Sequence, residues 1–473
     1  MKITLVQPKA YRHNPSFVWE PLNLGYLASF LKANGFSDVS IRISAFEDAD
    51  AIAMACAESD IAGITGTSPM FSDGMNIARK AKRHNPNLKI VFGGTHATAC
   101  TESVLLNDEV DFVVRNEGEL TLLDLVRTLE GNGDVKNVLG ISYRDGSGIR
   151  SNPPRPLVKN TDELPPPDRK LFDQEKFIRT SSQAGKRTIW VLSSRGCPYR
   201  CTYCASHTVW TRMWRPRSPE NVIKEIEELV RDYGIEHVNF SDDTFTVTKE
   251  RTIEFSRKLK ESGLKITWGC NVHVNTVDRE TFVEMATAGC SEIWMGVESG
   301  SPEILKELKK GSTIEQIAEA FRASKGLTMK RHAYLMVGAP GESRESIVET
   351  KKLLARLEPD FAAVTVFTPY PGCEVYDYAK QKQFVSDNMD WSAIDLHQTV
   401  VMPTRYLTRE ELEEEHIRFV RELEPYRRML KFSVTDFLGR VAMRFWTTPP
   451  SGYGKLFKKF LSYVSARRLK PRS

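Results

Sequence analysis

The sequence has no apolar run approaching the roughly 18 residues needed to span a bilayer, which excludes a chain built on membrane helices. It has little net charge, +5 over 473 residues, so no global polyelectrolyte role follows. It has no internal repeat and no low-complexity segment. The opening MKITLVQPKA is broken by Pro8 too soon for a secretory signal. Cysteine is sparse and is not arranged as a disulfide framework. Three of the eight lie within eight residues, and Cys56, Cys100, Cys270, Cys290 and Cys373 are scattered. Free thiols with one tight cluster point to a reducing cytoplasm. What charge there is lies unevenly. From Pro425 onward there are twelve Lys and Arg against one Asp. A basic tail on a mildly acidic body suggests an anionic surface as a local partner.

Residues 1–150 alternate strand and helix signals. Strands are expected at 3–6, 39–44, 61–65, 90–92 and 112–114, with helices at 22–33, 75–83 and 119–129. Such alternation predicts a doubly wound, Rossmann-like parallel sheet. Ligands bind such sheets at the loops beyond the strands' carboxyl ends. Those loops hold Thr67-Ser68, Gly93-Gly94-Thr95-His96 and Asn116-Glu117-Gly118-Glu119. Residues 151–187, rich in proline and charge, read as an extended linker. From Thr188 a second βα series runs to 386, with six units. Its strands are expected at 189–192, 237–240, 266–268, 292–296, 333–337 and 362–367, an open β/α barrel whose chemistry belongs at the strands' carboxyl ends. Residues 387–473 read as a helical, basic extension.

Directly after the first barrel strand stands Ser194-Arg195-Gly196-Cys197-Pro198-Tyr199-Arg200-Cys201-Thr202-Tyr203-Cys204, a C-x3-C-x2-C spacing. Three thiolates so spaced wrap three irons of a cubane. No fourth cysteine lies close, so one iron is left open for a ligand. The competing reading is a zinc site completed by His207, but zinc sites usually pair two close ligands with a distant pair, which is absent here.

This motif, with Tyr203 before the last cysteine, resembles the signature of the radical S-adenosylmethionine (SAM) superfamily. The resemblance runs from about Thr188 to Glu374. It implies that Cys197, Cys201 and Cys204 hold a [4Fe–4S] cluster, and that SAM chelates its open iron and is cleaved to methionine and a 5′-deoxyadenosyl radical. It further implies SAM contacts at Tyr203, at Asp242 and Asp243 after strand 2, and at Glu298 and Ser299 after strand 4. Gly338-Ala339-Pro340-Gly341-Glu342 ends strand 5. Where relatives often carry Arg, this chain has His273, either a contact to SAM or substrate or a satisfied polar residue at the barrel mouth.

The N-terminal stretch, with Pro21-Leu22-Asn23-Leu24-Gly25-Tyr26 and the loops above, is similar to the cobalamin-binding domain of the B12-dependent radical SAM subfamily. That likeness assigns Thr67, Ser68, Gly93, Gly94, Thr95, Asn116, Glu117, Gly118 and Glu119 to the corrin. Asn116 stands where relatives have Gly, a replacement that tolerates positive φ. The Asp-x-His-x-x-Gly motif of other B12 proteins is absent. His96 is imaginable as a cobalt ligand and is more readily a hydrogen-bonding loop residue. The competing view makes this domain a scaffold or substrate-docking module.

The resemblance thus implies a C-methyltransferase acting on a hydrophobic substrate, a lipid or tetrapyrrole intermediate. One SAM supplies the radical and a second remethylates the cobalamin. An external one-electron reductant, a flavodoxin or ferredoxin, is needed. A radical oxidative cyclase, like the anaerobic magnesium-protoporphyrin ester cyclases, is the first alternative, and a non-catalytic Fe–S or cobalamin sensor the second. Thr368-Pro369-Tyr370-Pro371-Gly372-Cys373-Glu374 closes the last strand; Trp391, His397 and Val401-Met402-Pro403-Thr404 follow and are expected to cap the barrel. Leu456, Phe457, Phe460, Leu461 and Val464 form one face of a basic helix, and Phe437, Val441, Phe445 and Trp446 a similar stripe. These fit either peripheral membrane contact or packing on the barrel. No nucleic-acid module accompanies the charge.

Overall fold

Ile3–Gln7 (β1) is buried at all five positions, as a central parallel strand must be. A computed structural model describes residues 1–10, 18–181, 185–386, 389–394 and 399–423. Around β1 assemble Val39–Ile43 (β2), Ile61–Thr65 (β3), Lys89–Gly93 (β4) and Phe112–Val114 (β5), all parallel, in the order β2-β1-β3-β4-β5. The order reverses between β1 and β3, the position where open α/β sheets form a ligand crevice. The sheet is not wholly parallel. Ile141–Asp145 (β6) and Gly148–Ser151 (β7) form an antiparallel hairpin on its edge. Its two-residue turn is Gly146-Ser147. The alanine-rich helix Ala49–Ala57, also not anticipated, is capped by the Asp48 carboxylate accepting from the Asp50 amide.

The segment expected to be an extended linker is packed. Phe172 and Phe177 join the first domain's core, Gln174–Ser181 is helical, and Arg169 is buried. Arg169 pairs there with Glu20 and Glu225.

The second sheet has six parallel strands: Thr188–Val191 (β8), His237–Phe240 (β11), Thr267–Val272 (β12), Cys290–Glu298 (β13), Lys330–Val337 (β14) and Phe361–Val366 (β15), in unbroken sequential order. The small pair Ser194–Arg195 (β9) and Arg215–Pro216 (β10) stands beside it. Helix starts follow from local chemistry. Ser218 accepts from the Asn221 amide with Pro219 at the first position, and Gly234 closes that helix in the left-handed region at φ 60°. One face of every strand packs on the helices: Ile189 and Val191, Val238 and Phe240, Ile293, Met295 and Val297, Ala333 and Leu335. Leu412 and Phe419 of the helix Arg409–Glu422 belong to the same core. Trp391, Val401 and Met402 join a smaller core at the barrel's end with Phe367 and Tyr376. His397 and both amphipathic stripes of the tail lie outside the described residues. No described helix is long and apolar enough to cross a membrane.

Candidate active site

The cysteine loop is held from three directions. From β11, the buried Asp242 carboxylate accepts from the Ser193 amide and hydroxyl, both at 2.7 Å, and from the Ser194 hydroxyl. Burial pushes this carboxyl up, although Arg251 and these hydrogen bonds oppose the effect. Asp242, expected to face SAM, takes these hydrogen bonds from Ser193 and Ser194. From within the loop, Gly196 sits at φ +85°, where an added Cβ would run into the Met213 carbonyl, so only glycine fits.

The third hold comes from the N-terminal domain. The Arg195 guanidinium, next to Gly196, donates to Glu117 at 2.9 Å and Glu119 at 2.6 Å. Arg215 donates to both oxygens of Glu117, each at 2.9 Å. All four side chains are buried. The Tyr26 and Trp210 rings flank Arg195 at 5.2 and 5.3 Å. Asn116, at φ +60° as its place in the motif requires, donates from its amide to the Thr208 carbonyl at 2.9 Å. Glu117 and Glu119, expected to touch the corrin, are spent on this junction.

The three thiols lie half-buried at the strand ends. Cys197 Sγ lies 3.6 Å from Thr244 Oγ1, and Cys204 Sγ accepts from the Ser206 amide at 3.4 Å. Burial pushes the Cys204 thiol up to about 12. It raises Cys201 too, against the pull of Lys310. Thiols so placed deprotonate only with a metal to receive them. Beside Cys201, the Tyr203 hydroxyl donates to Glu298 at 3.0 Å, and the Lys310 ammonium pairs with the same carboxylate at 3.0 Å. Burial opposes the Lys310 charge, but Glu298 and Cys201 outweigh it and the group stays an ammonium. Glu298 itself holds φ +63° at a break in the β13–β14 register. Strain of this kind concentrates at functional sites. Ser299 is buried between the Thr350 hydroxyl at 3.2 Å and the Ser301 amide, behind this cluster. Asp243 accepts from the Ser206 hydroxyl. The His273 ring stacks on Tyr199 at 3.6 Å and 7°, and its Nδ1 accepts from the Asn275 amide. Burial, with help from Lys310, pushes it down to about 3, so it supports the cysteine loop as a neutral ring. Among the described residues no three His, Cys, Asp or Glu side chains converge on a point that would hold a single ion, His207 included. A cubane, by contrast, spreads its thiolates around a cluster.

On the first sheet, Gly66, Gly93, Gly94, Thr95 and Gly118 are partly open at the strand tips and Thr67 is exposed. Gly94 has φ +87°, and a Cβ there would stand 2.7 Å from Thr65 Oγ1 and 3.1 Å from the Gly66 amide nitrogen. Backbone thus forms a rim that side chains would fill, which suits a large flat cofactor lying on it. His96 is committed elsewhere. Its Nδ1 lies 3.0 Å from the buried Ser68 hydroxyl, its ring packs on Phe71, and burial pushes it down to about 4. It stands inside the short helix Gly94–Ala99 and not in a loop, with the hydrogen bond anticipated for it. Gly94→Val combines forbidden φ with a backbone clash. We expect a loss of about 2–4 kcal/mol of stability and of cobalamin retention on gel filtration. Retention equal to the parent would refute the rim.

Arg195, Arg215 and Lys310 were not anticipated: Arg195 and Arg215 meet Glu117 from 78 and 98 positions away, and Lys310 meets Glu298 only because the chain returns to the strand end after a helix. Only the position of Arg195, two residues before Cys197, hinted at a role.

The model of the radical SAM superfamily matches residues 191–354, and that of the B12 binding domain residues 8–126. An uncharacterised methyltransferase of Pyrococcus horikoshii is 35% identical over 432 residues, spanning 87% of this chain and 90% of its own. The anaerobic magnesium-protoporphyrin IX monomethyl ester cyclase of Rubrivivax gelatinosus is 29% identical over 419 residues, 84% of this chain and 74% of its own. Among solved structures, the radical SAM methyltransferase TsrM from Kitasatospora setae, with cobalamin and a [4Fe–4S] cluster bound, superposes at TM-score 0.68 over 88% of this chain and 82% of its own; at 18% identity that likeness is one of fold. The chain therefore belongs to the radical SAM enzymes that carry a B12-binding domain, a methyltransferase family whose cofactors are a [4Fe–4S] cluster, SAM and cobalamin.

Proposed function

We propose that this enzyme methylates an unactivated carbon of a hydrophobic substrate, a lipid or a tetrapyrrole intermediate, with Cys197, Cys201 and Cys204 as the cluster ligands. When bound, the cluster with SAM supplies a hydrogen-abstracting 5′-deoxyadenosyl radical, and cobalamin supplies a methyl carrier. The residues orient and enclose. Tyr203, Glu298 and Lys310 form the polar wall for SAM beside Cys201. Ser299 and Asp242 act one step behind, fixing the backbone that carries that wall and the cysteines. Asp243 steadies Ser206, whose amide reaches Cys204. Thr67, Ser68, Gly93, Gly94, Thr95, Asn116 and Gly118 line the corrin side. Glu117 and Glu119 hold that side against the cysteine loop, so that methyl carrier and radical source face one space.

The observation that carries this reading is the buried Glu117–Arg195–Glu119 junction, which ties the B12-side loop to the residue two places before Cys197. The test is anaerobic reconstitution with cobalamin, SAM and a one-electron reductant, offered lipid and pigment extracts and read by mass spectrometry. A product heavier by one CH2, with 5′-deoxyadenosine formed alongside, is expected. The similarity to the ester cyclase gives the alternative its weight. A product that has lost hydrogens or gained oxygen, with no added methyl, would replace methylation by oxidative cyclisation. Absence of 5′-deoxyadenosine would point to a sensor.

A further inference from the structure

Side chains on a β-strand alternate between its faces. On β14, Ala333, Leu335 and Val337 are buried against the helices. Tyr334 must then point to the concave face of the sheet. It is 39% exposed although β14 is paired on both sides, so the exposure is to a hollow inside the barrel. Its hydroxyl has no hydrogen-bond partner among the described residues. Around it, Ala363 is its register partner, Met336 and Thr365 stand two residues further along their strands and Asn271 pairs with Trp294; all are uncharged and partly open. Charged groups bracket this level. Glu298 and Lys310 pair with each other above, and Glu292 and His332 pair 3.2 Å apart below.

Between hollow and lower pair lies the Trp294 indole. It is 8% exposed and covers Gly269, where a Cβ would stand 2.8 Å from its ring. The His332 ring lies 5.7 Å from it, and Phe361 5.3 Å from His332, which makes an aromatic floor. From Trp294 to Glu298 is roughly 13 Å of strand, a depth that admits one end of a substrate.

We infer that Tyr334 determines specificity: its hydroxyl anchors the substrate end that enters the barrel, a neutral aromatic or unsaturated group bearing one hydrogen-bond acceptor, with Trp294 as the floor beneath it. This rests on the methyltransferase reading above and names the chemistry of its substrate's reacting end. Burial, with Glu292 nearby, pushes the Tyr334 hydroxyl up to about 12, so at neutral pH it donates. Glu292, whose field reaches the Tyr334 hydroxyl, would repel an anionic end, and its pairing with His332 leaves it no free oxygen pair to offer a cationic one. An apolar end would leave the hydroxyl unmatched once water is displaced.

The probes are 4-fluoroacetophenone and 1-ethyl-4-fluorobenzene, alike in shape and differing in the acceptor. Their binding to the cluster- and cobalamin-loaded full chain is read by ligand-observed fluorine NMR. The ketone is expected to bind about fivefold more tightly, the usual worth of one neutral hydrogen bond. Tyr334→Phe should abolish that preference, and Trp294→Ala should weaken both probes several-fold. Equal binding to the parent, or a preference that survives in Tyr334→Phe, overturns the anchor. Unchanged binding in Trp294→Ala overturns the floor. Formation of 5′-deoxyadenosine by the parent is measured separately. Its absence would sink the radical SAM reading and leave the probe result standing, whereas a failed probe with 5′-deoxyadenosine present would sink only this inference.

Discussion

Cys201→Ala is expected to leave the anaerobically reconstituted protein without cluster absorbance and to bring 5′-deoxyadenosine formation down to that of iron-free protein. The reason is stoichiometric. Three thiolates serve three irons, and no fourth thiol stands within the loop to replace the lost one. Cys201 also lies next to the Tyr203–Glu298–Lys310 wall, so its loss removes the anion that helps hold the Lys310 charge in a buried place. Cys100→Ala, a half-buried thiol outside the motif, serves as the control and should keep both signals. SAM cleavage that persists in Cys201→Ala would show that the motif does not hold the cluster.

The second large effect is expected from Arg195→Met. The substitution keeps much of the side chain's bulk between Tyr26 and Trp210 and removes its charge. Glu117 retains Arg215, but Glu119 is left buried without its partner. Stranding one member of a buried ion pair costs about 3–5 kcal/mol. The pH dependence gives the signature. Burial pushes the Glu119 carboxyl up, yet the Arg195 charge and hydrogen bond more than offset this, and its folded pKa lies below the ordinary 4.5. A depressed folded value means stabilisation that is present above the unfolded pKa and is lost as pH falls through the folded one. In Arg195→Met burial is opposed only by a backbone hydrogen bond and the weaker pull of Arg215, so the folded pKa rises and the folded protein gains from protonation. The gap in melting temperature between parent and variant should therefore be wide at pH 7 and narrow toward pH 4. A gap that is absent, or that does not change with pH, would show that the junction is not a working ion pair.

Much of the scaffold was legible beforehand because its signals are local. Helices Leu22–Ala33 and Glu119–Glu130 and strands Ile61–Thr65 and His237–Phe240 follow apolar periodicity over a few turns or residues. The hairpin Ile141–Ser151 was not read because its outer strand is exposed at three of four positions and shows no alternation. The packed path of 151–187 was not read because proline-rich composition does not reveal that Phe172 and Phe177 have a core to enter. Asp242 shows the same limit at the site. Its position after strand 2 marks it as important, but its partners Ser193 and Ser194 lie nearly fifty residues away.

By itself the sequence determined the chemistry that begins the reaction. Three cysteines on one eight-residue loop are spaced as ligands of one cluster, a property of the spacing alone. The glycine pairs and Asn116 likewise declare backbone demands that depend on no distant partner. Only the tertiary structure decided which charges meet and which side chain faces open space. Glu117 reaches Arg195 across 78 positions, and Tyr334 looks into the barrel because of how its strand is paired. Such contacts depend on strand register and domain docking, and register is a property of the whole sheet, carried by no single segment of the chain.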